Sequence, residues 1–351
     1  MKKIAIGIDF SKKTFDATIR RRVENDHIEV AYSKFENDDK GFRAFVSWVR
    51  KTVKAFPEGK GRASLIFCGE NTGVCSAALS DYLSEKGFDM WLESALQIKR
   101  CSGIVRTKDD RTDSARIADY ALRHYNSGVR LHEPDSRPLK ELSTLYRLHN
   151  MLVKDMIAKN NQIKSGVLDC VPEVLAMAHR HLEMIRQQLK EVKRQLESML
   201  RENEEFKEKY SIMHSLKGVG PITAACVIIK THNFKYMDDA RTFGNYAGVV
   251  PSQIEQSGTS VDKGRHVSRC RDRETNAALT QAVNSALMHN ATIRAYYDRL
   301  TARGVHRNKA RNNCKFKMVN IIMAMIRSNT LFDPGKYGKS KSEWTVAVCD
   351  S

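Results

Sequence analysis

The period of the hydrophobic pattern changes once along the chain, near Pro138, and no single architectural layer accommodates both patterns. Before that point the apolar residues come in short runs. Lys3 to Asp9 is isoleucine-rich and reads as a strand, and Thr14 to Arg20 and His27 to Tyr32 follow it after short polar turns. Gly41 to Phe56 has helical spacing, carried by Phe42, Phe45, Val46, Trp48, Val49 and Val53. A strand over Ala63 to Cys68, a helix over Val74 to Lys86 and a strand over Phe88 to Leu92 come next, then a helix from Asp110. This is an α/β layout opened by a three-strand meander. After Pro138, Leu142, Leu145, His149, Leu152, Met156 and Ile163 keep an approximate 3-4 spacing. From Leu182 through Ile185, Leu189, Val192 and Leu196 to Met199 the spacing becomes regular. Two long helices broken near Gly166 to Pro172 form either a coiled coil, antiparallel or intermolecular, or a hairpin packed on its own domain. The residues favour neither.

From Ser211 the chain turns to glycine-containing turns, short helices and strong basicity. We therefore expect an α/β domain over 1–137, a coiled-coil helical region over 138–208, a mainly helical C-terminal domain over 209–330 and a basic tail over 331–351. Lys and Arg total 59 against 41 Asp and Glu, a net charge of +18. Between Gly258 and Lys317 there are 13 basic and 4 acidic residues. Such an excess selects a polyanionic partner, nucleic acid before a membrane surface. No apolar run is long and uncharged enough to read as a membrane span. The eight scattered cysteines include no C-x-x-C pair, so reduced thiols in a cytoplasmic protein are expected rather than a zinc site or a disulfide framework.

Four acids stand where chemistry is expected. Asp9 ends the first strand, Glu70 follows the apolar run Leu65 to Gly69, and Asp110 and Asp113 lie three apart on one helix face. Each has an ordinary explanation, as a turn residue or as an acid near a helix N-terminus. Gathered at one sheet edge they would repel one another unless a cation lay between them, and hard oxygen donors suit Mg²⁺. Strand-Asp, meander, strand-Glu and helix-Asp-x-x-Asp, in that order, resemble the RuvC-like branch of the RNase H superfamily. The sugar-kinase and actin-like ATPases also begin Gly-x-Asp, but Phe10 to Asp16 lacks their glycine-rich phosphate hairpin.

In the basic half, Leu216 to Ala225 resembles a helix-hairpin-helix turn, whose Lys217, Gly218 and Gly220 would meet a nucleic-acid backbone. Further on, Ser257-Gly258 is followed by Lys263, Arg265, His266, Arg269, Arg271 and Arg273. From the residues alone, a basic loop holding phosphate charge is a stronger reading than an activated serine.

Taken together, Gly7-Ile8-Asp9, Gly69-Glu70-Asn71-Thr72-Gly73, Lys108 to Ser114, Gly218 to Ala224 and Ala247 to Gly258 resemble the DEDD transposases of one bacterial insertion-sequence family. That family includes the Piv-type invertases and the bridge-RNA-guided recombinases. The resemblance spans roughly residues 1 to 330. It implies that Asp9, Glu70, Asp110 and Asp113 bind Mg²⁺ and that Ser257 attacks DNA to form a covalent phosphoserine link. It also implies donor and target DNA and a structured guide RNA as partners, and a homo-oligomer, a dimer assembling to a tetramer, with contacts from the helical region. Gly264 to Asp272 departs from the family pattern by lacking its second glycine. Two other functions fit the residues. One is a metal-dependent junction resolvase without a covalent intermediate, the other a non-catalytic RNA- or DNA-binding protein.

Overall fold

A computed structural model describes residues 3–24, 26–57, 64–101, 109–168, 171–250 and 270–337. Ser257, Lys263, Arg265 and Arg269 lie outside the described residues, as does 338–351 of the expected tail. The chain divides into two compact units, Met1–Pro134 and Asp135–Ser351.

The first unit is the expected α/β domain. β1 (Ile4–Phe10), β2 (Thr14–Val23) and β3 (Asp26–Glu36) form the antiparallel meander, and β4 (Leu65–Glu70) and β5 (Met90–Glu93) extend it in parallel, giving the order β3-β2-β1-β4-β5. Alternation of side chains along each strand divides the core into two layers. Ile4, Ile6 and Ile8 of β1 and Phe15 of β2 pack on Phe42, Phe45 and Val49 of α1 (Asp39–Val53) and on Leu79 and Leu83 of α2 (Val74–Glu85). On the other face, Ala5, Ile66, Cys68 and Trp91 meet Ile117, Ala118 and Ala121 of α4 (Asp110–His124), with the short α3 (Ala95–Cys101) beside them.

Small residues bring α4 close. A Cβ on Gly7 of β1 would lie 2.1 Å from the Ser114 carbonyl oxygen and 2.3 Å from the Ala118 nitrogen. The buried hydroxyls of Thr18 on β2 and Ser114 on α4 lie 2.7 Å apart, in hydrogen-bond contact. Arg20 donates to Asp119 at 2.7 Å, His27 contacts the same carboxylate at 3.1 Å, and Arg22 donates to the Leu122 carbonyl. The first turn of α4 is thereby fixed over the end of β1.

The second unit is helical. α5 (Arg137–Lys164) begins with Ser136 capping Leu139 N–H, and α6 (Pro172–Glu202) begins on its proline, where the missing N–H costs nothing. They form an antiparallel hairpin that shares one core with α7 (Lys207–Ser215), α8 (Pro221–Lys230), α9 (Ala240–Tyr246), α10 (Arg273–His289), α11 (Ala291–Ala302) and α12 (Arg307–Ser328). The heptad seam is therefore filled within the chain. Leu182, Ile185, Val192 and Leu196 are buried, and Leu189 packs partly buried against the same core. This is the hairpin packed on its own domain rather than a coiled coil: the seam meets α5 and α8 and shares the core of the helical unit. Leu196→Glu would place a charge at a fully buried site and is expected to cost about 3–5 kcal/mol. Thermal melting followed by circular dichroism checks this; a wild-type melting temperature would contradict the assignment.

The expected tail also needs correction at its start. Residues 334–337 form a short helix, α13 (Pro334–Tyr337), and Tyr337 is fully buried and stacks on Phe332 at 5.9 Å, because its ring fills the same core. Among the described residues no helix is long and apolar enough to cross a membrane.

Candidate active site

Strand register assembles a row of charged residues across the sheet. Asp9 of β1 stands directly opposite Asp16 of β2, and Asp16 opposite Lys34 of β3. Glu70 lies one step beyond the last ladder pair of β1 and β4, Ile8 and Gly69, and pairs with Glu93 of β5. Paired residues share a face, and here it is the face that α4 covers, since Gly7 and Thr18, two residues from Asp9 and Asp16, both touch α4. Like charges directly opposite in a ladder are unfavourable. The neighbouring contacts moderate that repulsion. Asp16, 3% exposed, accepts a 2.5 Å hydrogen bond from Tyr32 and faces Lys34 Nζ at 3.3 Å. Glu93 accepts from the Tyr120 hydroxyl at 3.2 Å.

Asp110 and Asp113 belong to the first turn of α4, where the helix dipole favours negative charge. Lys34 lies 3.8 Å from Asp110, and Arg116 bonds Asp113 at 2.8 Å. The electrostatic outcome is concentrated on Asp9. Burial foremost, then the charges of Glu70, Asp113, Asp110 and Asp16, raise its carboxyl from 3.8 to about 6. Burial, followed by Asp113, likewise pushes Glu70 up. Tyr32, donating to Asp16, is pushed up to about 12.

The other three sequence-predicted acids thus all bear on Asp9. Among the described residues, however, no three acidic, histidine or cysteine side chains converge tightly enough to hold an ion as they stand. Asp113 is engaged by Arg116, and Asp110 faces Lys34. The donor set is nonetheless all oxygen and mutually repulsive, which fits a hard divalent cation. Sequence reading missed Asp16, Tyr32, Lys34 and Glu93. The one available signal was the hairpin itself: a short turn joining Phe10 to Phe15 pairs Asp9 with Asp16.

In the second unit the glycine turn joins α7 to α8 as expected, but Gly218 is internal. Its φ is +113°, and a Cβ there would meet Ala286 Cβ at 2.6 Å and the Ala282 carbonyl oxygen at 2.8 Å on α10. Lys217 is exposed, and a Cβ on Gly220 would meet nothing within 4 Å, so these two positions keep the open surface a backbone contact needs. Arg271 and Arg273 are exposed, and the side-chain stem of Arg271 covers Gly248. The carbonyls of 247–249 are held by side-chain donors: Asn276 bonds the Ala247 carbonyl at 2.9 Å and Asn312 the Val249 carbonyl at 2.9 Å. Lys315 Nζ in turn donates to Asn276 at 3.0 Å. Arg271, Arg273 and the glycine turn thus lie within the described residues, whereas Ser257, Lys263, Arg265 and Arg269 do not.

Family models match over both the acid-bearing α/β unit and the basic helical unit. A family model described as a transposase, that of the DEDD domain of IS110, matches residues 6–172, and one described as the transposase IS116/IS110/IS902 family matches residues 210–298. The chain belongs to the IS110 family of transposases. The "Insertion element IS110 uncharacterized 43.6 kDa protein" of Streptomyces coelicolor is 26% identical over 237 residues. That match takes in 66% of this chain and 56% of that protein, so it spans little more than half of that relative's length. The "Pilin gene-inverting protein" of Moraxella bovis is 21% identical over 336 residues, 95% of this chain and 98% of that protein. Among solved structures, Thermus thermophilus RuvC matches with a TM-score of 0.27 and 11% identity, covering 36% of this chain and 96% of that one.

Proposed function

We propose that this transposase cleaves and rejoins DNA strands at the acid row, with Asp9, Glu70, Asp110 and Asp113 holding Mg²⁺. The observation that carries the reading is the electrostatic convergence of these carboxylates on Asp9. Bound there, the cation would offset the phosphodiester's charge and orient the attacking and leaving oxygens. The chain's own part is positional. β1 and β4 carry Asp9 and Glu70, and the contacts of α4 with Gly7, Thr18 and Arg20 set the height of Asp110 and Asp113.

Ser257 is proposed as the nucleophile of a covalent phosphoserine step, on the strength of the Ala247 to Gly258 motif and the basic residues after it, of which Arg271 and Arg273 are exposed. Attack by water at the acid row is the competing reading, since that row contains the elements of a metal-dependent nuclease. The charge of +18 and the family resemblance support a structured guide RNA beside donor and target DNA. A homo-oligomer contacting through the hairpin would use Met151, Met177 and Met184, which are exposed, rather than the filled heptads.

Metal removal tests the acid row in two ways. Chelation is expected to abolish cleavage while nucleic-acid binding persists; cleavage that survives chelation would refute the proposal. Stability supplies the second. Asp9 holds its proton to about pH 6 in the fold and to 3.8 as the reference value, so the folded state binds the extra proton between those limits. The metal-free protein is expected to lose stability as pH rises from about 4 to 6. Mg²⁺ should restore melting temperature above about pH 6, where the carboxylate is free to bind it, and have little effect below about pH 5. A melting temperature indifferent to Mg²⁺ at neutral pH would contradict the assignment.

A further inference from the structure

The sheet face opposite the acids carries a second charged feature, of the other sign. A groove of about 530 Å³ between α1 and α2 is lined by Arg43, Arg50 and Lys51 of α1 with Lys54 just after it, and by Tyr82 of α2 with Lys86 just after it; among the described residues no carboxylate lines it. Arg43, Arg50 and Lys54 recur at helical spacing, so they form one stripe along the outer flank of α1. The helix buries Phe42, Phe45, Val46, Val49 and Val53 on its other side.

A basic stripe on a helix is usually a solvated face, and cations in a last turn favour the helix dipole. That accounts for Arg50 and Lys51. It does not account for Arg43, near the start of the helix, nor for Lys86 arriving from α2 into the same groove. Several arginines on the protein's other long surface helices are paired instead. On α5 and α6, Arg137, Arg186, Arg194 and Arg201 each bond a glutamate three or four residues away. On α1 no carboxylate among the described residues pairs with Arg43, Arg50, Lys51 or Lys54 in an ion pair. Asp81, the acid on α2 nearest in sequence to Tyr82, is bonded to His132 at 2.6 Å. Like charges at such spacing are mutually unfavourable in the isolated protein, and a polyanion would relieve them.

We infer that the α1–α2 groove is a nucleic-acid backbone site, distinct from the acid row and used to hold a strand that is not being cut. Its layer supports the second half of this statement. α1 and α2 cover the face bearing Ile4, Ile6 and Ile8, whereas α4 and the acids cover the other. Within this one unit, a phosphodiester lying along Arg43, Arg50 and Lys54 is separated from Asp9 by the sheet. The ligand chemistry is the phosphodiester backbone, with Tyr82 supplying an aromatic ring at the groove wall. Either DNA or RNA presents it.

The test uses the full-length protein with two probes, a short DNA duplex and an RNA hairpin of the same stem sequence, titrated over a range of salt concentrations. The variant Arg43→Gln/Arg50→Gln/Lys54→Gln is expected to bind at least about tenfold more weakly at physiological salt. Its log–log salt slope on duplex DNA should be shallower by roughly 3, close to 0.9 per lost phosphate contact. Arg186→Gln/Arg194→Gln/Arg201→Gln removes the same charge from paired sites and should leave the slope near wild type. Arg43→Lys/Arg50→Lys keeps the charge and should bind as wild type, which separates lost contacts from lost fold. Melting of each variant completes that control. Loss on one probe alone identifies DNA or RNA as the occupant, and loss on both identifies the shared backbone. An unchanged slope in the α1 variant, an equal loss in the hairpin variant, or no binding of either probe by wild type would overturn the inference. Cleavage at saturating DNA is expected to survive in the α1 variant, so failure of this site and failure of the acid row are told apart.

Discussion

Asp9→Asn removes the charge at the centre of the acid row and is expected to slow DNA strand cleavage about a thousandfold or more, with nucleic-acid binding retained. The amide is nearly isosteric and stays neutral at every pH, so β1 and its core contacts persist while the principal oxygen donor is weakened. The same substitution should reduce the loss of stability between about pH 4 and 6, because residue 9 no longer releases a proton there. Ser257→Ala, assayed beside it, separates the two nucleophiles. If serine attacks, cleavage and any protein–DNA adduct disappear together. If water attacks, Ser257→Ala cleaves normally and only the acid variant fails. Denaturing electrophoresis of a labelled DNA substrate with Mg²⁺ reads both, because an adduct migrates with the protein. We expect Ser257→Ala to be inactive and to bind normally. Wild-type cleavage by that variant would end the serine proposal and leave the acid row standing.

The second large effect concerns a residue without a side chain. Gly7→Ala is expected to lower cleavage about a hundredfold and stability by about 1–3 kcal/mol. Alanine suits a strand no worse than glycine does, so the backbone conformation is not what forbids it. The space is. The new methyl would fall 2.1 Å from the Ser114 carbonyl oxygen and 2.3 Å from the Ala118 nitrogen, both backbone atoms of α4. The helix must retreat by about 1 Å to restore van der Waals contact, and a misplacement of that size at a reacting centre is costly. The retreat breaks the buried contact between Thr18 and Ser114 and moves Asp110 and Asp113 away from Asp9. Gly73→Ala is the control. At Gly73 φ is +70° and nothing lies within 4 Å of a Cβ, so a conformational cost of about 1–3 kcal/mol is expected with no displacement of α4. Wild-type melting and cleavage in Gly7→Ala would show that α4 does not set the site.

Much of the first unit could be read from residue order. Short apolar runs alternating with 3.6-period segments specify strands and helices locally, and the five strands, α1, α2 and α4 occur where that pattern places them, whereas the short α3 was not read. Asp9 and Glu70 stood out because each ends a buried run, and Asp110 and Asp113 because their spacing puts them on one helical face. Family motifs then identified the transposase, matched over both units. The partners of those acids were not legible. Asp16, Lys34 and Glu93 come beside them only through lateral register, which depends on a hairpin turn and on long crossovers that local periodicity does not encode.

The same limit explains the helical hairpin and the glycines. A heptad states that a seam must be buried, and Leu182 to Met199 states it clearly, but apolar side chains are not selective about whose surface covers them. Packing against α5 and α8 of the same chain settled it. Gly7 and Gly218 look alike in the sequence to Gly220, yet α4 presses on the first, α10 on the second and nothing on the third. Local chemistry, then, determined which residues become strand, helix, turn and acid. Which of them meet was decided by long-range packing, because contact between residues distant in sequence depends on how whole elements fit, and no stretch of the chain carries that information alone.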